Sequence, residues 1–139
     1  MRSRTSPKTG PGRTIGLKRV YDPPAPRDGL RVLVDRLWPR GLAKADAHVD
    51  LWLKDVAPSG ALRRWFGHDP TRWDAFRRRY AAELEDNPAA FAALQALVRA
   101  RRVTLLFAAK DLAHNHALAL TQMLGGARPR ARPRSRDDG

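Results

Sequence analysis

The sequence predicts an α/β fold: a single three-layer domain in which a small, mostly parallel sheet of about four strands is flanked by helices, with disordered basic tails. Three observations predict it. Continuous apolar runs, Val32-Leu33-Val34 and Val103-Thr104-Leu105-Leu106-Phe107-Ala108-Ala109, suit strands covered on both faces. Between them lie stretches with apolar residues at helical spacing, introduced by Asp-Pro and Asn-Pro. The order of three strands, then helices, then a strand and a helix is that of a layered α/β domain. With 139 residues the chain suffices for one such domain and is too short for two.

The elements follow in order. Leu17-Lys18-Arg19-Val20-Tyr21 alternates as a short strand, and Asp22-Pro23-Pro24-Ala25-Pro26 ends it, since proline suits neither helix interior nor central strand. Arg27-Asp28-Gly29 turns the chain into a second strand at 30–35, and Trp38-Pro39-Arg40-Gly41 is loop. Val49, Leu51 and Leu53 alternate with polar or amphipathic neighbours, which predicts a third strand at 49–53. Ser59 caps a helix at 60–66 that Gly67 stops. Asp69-Pro70 opens a helix at 70–85, with Trp73, Phe76, Tyr80 and Leu84 as its buried stripe. Asn87-Pro88 opens another, carrying Phe91, Leu94, Leu97 and Val98. After a strand at 103–108, Asp111 is placed as the cap of a last helix, 111–124, closed by Gly125-Gly126.

Charge divides the chain into three segments. Residues 1–14 carry +4 and residues 127–139 carry +3, leaving +6 of the total +13 for 15–126. The terminal segments are rich in Arg, Pro, Gly and Ser and are predicted to be disordered; the C-terminal Arg-Pro alternation is predicted to be extended. Such tails can hold nucleic acid non-specifically through phosphates. The chain has no cysteine, which removes disulfides and thiolate chemistry and fits the cytoplasm. No run of apolar residues is long enough to span a bilayer, so no membrane partner is expected.

In open α/β sheets, ligands bind beyond the carboxyl ends of the strands. The second strand ends in Asp35-Arg36-Leu37-Trp38-Pro39-Arg40-Gly41 and the last in Lys110-Asp111, followed by His114-Asn115-His116. Arg36, Arg40 and Lys110 are therefore the candidate ligand-binding cations, with Trp38 as a wall of the same pocket. A nearby helix N-terminus would add orphan amides to an anion site. Asp35, His114 and His116 are the candidate catalytic groups. A structural role for Asp35, as the ion-pair partner of Arg40 or Arg19, is the competing reading. His114 and His116 lie two residues apart, on nearly opposite sides of a helix, so no metal is assigned to them, and no cofactor is indicated. Asp69 is used as a cap, leaving His68 spare. Trp65 and Trp73 belong with the core.

Five motifs in order identify a family resemblance: Leu17-Lys18-Arg19-Val20-Tyr21-Asp22-Pro23-Pro24; 31–41, from Arg31-Val32-Leu33-Val34-Asp35 to Pro39-Arg40-Gly41; 51–59, opening Leu51-Trp52-Leu53-Lys54-Asp55; Trp65-Phe66-Gly67-His68-Asp69-Pro70; and Lys110-Asp111 with His114-Asn115-His116. Over residues 15–125 the chain closely resembles the YeaO-like proteins, the short branch of the family called domain of unknown function 488. The resemblance implies one α/β domain with its first two strands side by side and parallel, and no established activity. Longer members carry a similar strand ending in Val-Asp-Val-Arg and a later helix bearing Cys-His-Arg. This chain has His114-Asn115-His116 in that region, so thiol chemistry is closed to it.

Three functions compete. The first is a cytoplasmic protein whose polar pocket accepts a small acidic or phosphorylated metabolite, to act on it or to sense it. The second is a nucleic-acid-associated protein binding through its basic tails. The third is a protein-interaction module docking through the Trp38 loop. The sequence does not distinguish monomer from oligomer.

Overall fold

The computed structural model of the protein describes residues 15–125, so the tails predicted at 1–14 and 127–139 lie outside the described residues. Four strands, β1 (Gly16–Arg19), β2 (Leu30–Leu33), β3 (Leu51–Trp52) and β4 (Val103–Phe107), form one sheet. Every pairing is parallel and the order is β1-β4-β2-β3. Among the described residues, no helix is long and apolar enough to cross a membrane.

The sheet order corrects one expectation. The first two strands are parallel, but β4 lies between them rather than leaving them side by side. The physical reason is burial. All five residues of β4 are buried, whereas those of β1 are only half-buried. The most apolar strand gains most from neighbours on both edges. Gly29 makes the crossing from β1 to β2 feasible: it sits at φ +65°, and a Cβ there would come within 2.4 Å of the Arg102 carbonyl oxygen.

The layers on the two faces are unequal. On one face Val32, Val34, Val103, Leu105 and Phe107 share a large core with residues from α2 (Gly60–Phe66), α3 (Trp73–Glu85), α4 (Pro88–Ala100) and α5 (His116–Leu124). On the other, Leu33 and Leu106 meet Val20 and Ala47, with Trp38, Leu42 and Trp52 around them. That thin layer is loop and a one-turn helix, α1 (Lys44–Ala47), too short to leave a periodic signal in the sequence.

Local signals set most boundaries. Ser59 Oγ accepts from the Leu62 amide and Gly67 takes the left-handed conformation, bounding α2 at 60–66 as expected. Asp69 and Pro70 begin a separate 3-10 turn (Pro70–Arg72), so α3 starts at Trp73 and not at 70. Tyr21 lies outside β1 and is exposed. β3 keeps only two of its five expected residues. The last helix differs most: it begins at His116 with Asn115 as its cap, so Asp111 does not cap it. Asp111 instead caps a local turn, its Oδ1 accepting from the Ala113 and His114 amides at 2.9 and 3.0 Å. Those two bonds, with that of the His114 ring, hold the Asp111 carboxyl below its usual range, the Ala113 amide contributing most.

Candidate functional site

The carboxyl ends of β2 and β4 open into a cavity of about 390 Å³. The loop after β2, Ala57 and Pro58 before α2 with Arg63 and Phe66 on it, and the segment leading into α5 wall it. Asp35 organises its floor. One carboxylate oxygen accepts the Ala108 amide at 3.0 Å, at the point where the β2–β4 ladder ends, and the Asp35 carbonyl accepts the Trp52 indole N–H at 2.7 Å. A single residue thus ties together the ends of three strands. Its other oxygen, Oδ1, is buried and lies 3.0 Å from His116 Nε2.

The partner of Asp35 is therefore His116 rather than Arg40 or Arg19. Arg19 is committed elsewhere, donating to the Ala109 and Ala108 carbonyls at 3.0 and 2.8 Å. The reason is topological: with β4 between β1 and β2, Arg19 meets the end of β4 and not the loop after β2. His116 Nε2 faces the Val34 carbonyl at 3.1 Å as well as the carboxylate. The Val34 carbonyl can only accept, so Nε2 carries the proton of this bond, while Asp35 Oδ1 lies close to it without a hydrogen bond. Tyr80, wholly buried, packs edge-on to the same ring. Burial raises the Tyr80 phenol well above its ordinary range, and the hydroxyl donates to the Val56 carbonyl.

The other expected residues have distinct places. Arg36 lines the cavity, and its guanidinium also donates to the Pro58 and Ala57 carbonyls at 3.3 and 3.0 Å. It anchors the entry to α2. Trp38 lines the cavity edge-on to Trp52, with its indole N–H bonded to the Leu42 carbonyl at 2.6 Å. Arg40 is exposed at the cavity wall. Lys110 is exposed and does not line the cavity. His114 does line it, with its ring held by Asp111 Oδ2 at 3.1 Å and set edge-on to Trp73.

His114 precedes α5 and His116 is its first residue, so the helical argument that separated their rings does not apply. They are separated instead by their partners, Asp111 for one and Asp35 for the other. Among the described residues no group of three or more His, Cys, Asp or Glu is placed to hold a metal.

Arg63 and Asn115 line the cavity without having been singled out from sequence, and the spare His68 lines it too. Asn115 carried a readable signal, a polar cap before an apolar run, but Asp111 offered the same signal four residues earlier. Arg63 carried none, because an exposed helical arginine is ordinary until the neighbouring strand ends are placed. Neither Arg40 nor Arg63 has a side-chain hydrogen bond or ion pair among the described residues.

Fold and site together define a small α/β domain with an all-parallel sheet and a charged cavity at its strand ends. The chain belongs to the family of domain of unknown function 488: the family model described as "Inactive DUF488-N3 subclade" matches residues 14–137. That span runs past residue 125, where the motif resemblance ends. The chain is 47% identical over 112 residues to the uncharacterized protein Rv3073c of Mycobacterium tuberculosis, covering 81% of this chain and 94% of that protein. It is 43% identical over 110 residues to the uncharacterized protein YeaO of Escherichia coli, covering 79% and 96%. No solved structure matches.

Proposed function

We propose that the protein binds a small acidic or phosphorylated metabolite in the strand-end cavity, and that it does so in the cytoplasm. The observation that carries this reading is the charge of the lining: Arg36, Arg40, Arg63, His68, His114 and His116 surround a single carboxylate, Asp35. With the histidines neutral the lining still has an excess of two positive charges, and Arg40 and Arg63 are not neutralised by any described residue. Two guanidinium groups can grip a phosphate or carboxylate through paired hydrogen bonds. The first turn of α5 begins at the same wall, where Asn115 and His116 line the cavity, and the positive end of its dipole favours an anion there.

Binding or sensing suits this lining better than turnover. The matching family model is described as inactive, and a cysteine nucleophile is not available to this chain. Asp35 and His116 then act as a polar floor, and His114 as a wall positioned by Asp111. Lys110 has no direct role in this reading, because it lies off the cavity.

Phosphate titration followed by backbone NMR tests the reading. Inorganic phosphate should shift the amide signals of Ala108, Asn115 and His116 along one saturable curve. Shifts confined to residues outside the cavity, or none that saturate, would refute it.

A further inference from the structure

Outside the cavity, the most unusual surface is the solvent side of α2 and α3. Residues 60–85 contain Arg63, Arg64, Arg72, Arg77, Arg78 and Arg79 against the carboxylates Asp69, Asp74, Glu83 and Glu85. The first three carboxylates are committed, and Glu85 lies exposed at the carboxyl end of α3. Asp69 caps Thr71 and pairs with Arg72, Asp74 pairs with Arg77, and Glu83 accepts from the Ser59 amide and hydroxyl. Arg64, Arg78 and Arg79 are exposed and have no carboxylate partner among the described residues.

Trp65 orders part of this surface. The Arg79 guanidinium stacks over its ring at 4.1 Å and that of Arg72 at 5.2 Å. Such stacking holds a planar guanidinium in place; Arg72 is also tied to the Trp65 carbonyl and Asp69, whereas Arg79 has no side-chain hydrogen bond among the described residues and keeps its donors for phosphate oxygens. The price is like-charge crowding, which an anionic partner would relieve.

We infer that the exposed α2–α3 face docks on the phosphate backbone of duplex nucleic acid. Charge complementarity and the choice of arginine over lysine point to phosphate. The exposed large apolar residues of the described chain are Tyr21, Leu37, Leu51 and Leu112, none of them on α2 or α3. The face therefore has no exposed apolar wedge to enter a bilayer, and its Trp65 ring is half-buried and covered by Arg72 and Arg79 rather than open to a protein partner. Trp65 cannot serve as a stacking platform for unpaired bases while Arg72 and Arg79 stack on it, which favours the more highly charged duplex over a single strand. This inference does not depend on the cavity reading, because Arg64, Arg78 and Arg79 do not line the cavity.

The test uses the full chain and a duplex DNA of about 20 base pairs, with affinity measured as a function of salt. Arg64→Ala/Arg78→Ala/Arg79→Ala should bind at least about tenfold more weakly, and its log–log salt slope should be shallower by roughly 3. Arg64→Ala/Arg78→Ala, which leaves the Trp65 stack intact, should lose part of the affinity and guards against a folding defect in the triple variant. A chain with Arg128, Arg130, Arg132, Arg134 and Arg136 changed to Ala should keep the sensitivity to the α2–α3 substitutions. The inference is overturned if both α2–α3 variants bind with the parent's affinity and slope, or if the tail variant alone abolishes binding. It is equally overturned if polyglutamate or anionic vesicles bind the parent better than DNA does.

Discussion

Two clusters of charge are built around an aspartate, one near the amino end of β2 and one at its carboxyl end, and they resolve their charge in opposite ways. Asp28 is buried and accepts from Arg31 at 2.7 Å, from Lys18 at 3.0 Å and from the Ala25 amide at 3.0 Å. Arg31 is itself buried, and it also donates to the His48, Ala47 and Asp22 carbonyls. Asp35, by contrast, meets a histidine, while the arginines around it face a cavity or reach backbone carbonyls. The first cluster holds its one carboxylate between two cations, whose other N–H groups go to backbone carbonyls within the fold. The second leaves positive charge facing an open cavity at the carboxyl end of the sheet.

Breaking the first cluster should have the largest effect. Asp28→Asn leaves the buried Arg31 without a counter-charge, and the fold should lose about 3–5 kcal/mol in urea unfolding. If it loses less than that of Asp35→Asn, the contrast between the clusters is wrong. Burial alone would raise the Asp28 carboxyl, but the Ala25 amide, Lys18 and Arg31 together bring it from 3.8 down to about 2. A lowered folded-state value stabilises the protein above the unfolded value. That stability should therefore be lost as pH falls from 3.8 towards 2, and Asp28→Asn should lack this component of acid unfolding.

Asp35→Asn should cost less, about 1–2 kcal/mol, because an amide oxygen can still accept from Ala108 while the contact with His116 loses its charge. Melting like the parent would remove Asp35 from the structural account.

The contrast also explains what could be read from the sequence. The α/β class, four strands and the ends of α2 were legible because apolar period, cap residues and glycine stops are local. Asp35, Arg36, Trp38, Arg40, His114 and His116 were marked by following strand ends, and all line one cavity. Lys110 was marked by the same rule and lies off it, since a position just after a strand does not fix where the side chain points. The Asp28–Arg31 pair went unread because only the fold brings Lys18 and the loop carbonyls to it. The insertion of β4 between β1 and β2 was equally hidden, for strand order depends on which edges find partners.

The smallest effects fall on stability at the cavity end. Arg40→Ala/Arg63→Ala removes two exposed guanidinium groups without described side-chain partners, so its unfolding free energy should stay within about 0.5 kcal/mol of the parent. Lys110→Ala should change neither stability nor phosphate affinity by a measurable amount; an affinity loss as large as that of the double variant would move the site off the cavity.

Calorimetric titration of inorganic phosphate into the parent and into Arg40→Ala/Arg63→Ala tests the contrast most directly. The parent should show saturable one-site binding, and the double variant should lose at least about tenfold in affinity while unfolding like the parent, since each charge-assisted contact is worth roughly 1.5–3 kcal/mol. Equal binding by both proteins, or none by the parent, would contradict the claim that the carboxyl end of the sheet holds its positive charge for a ligand.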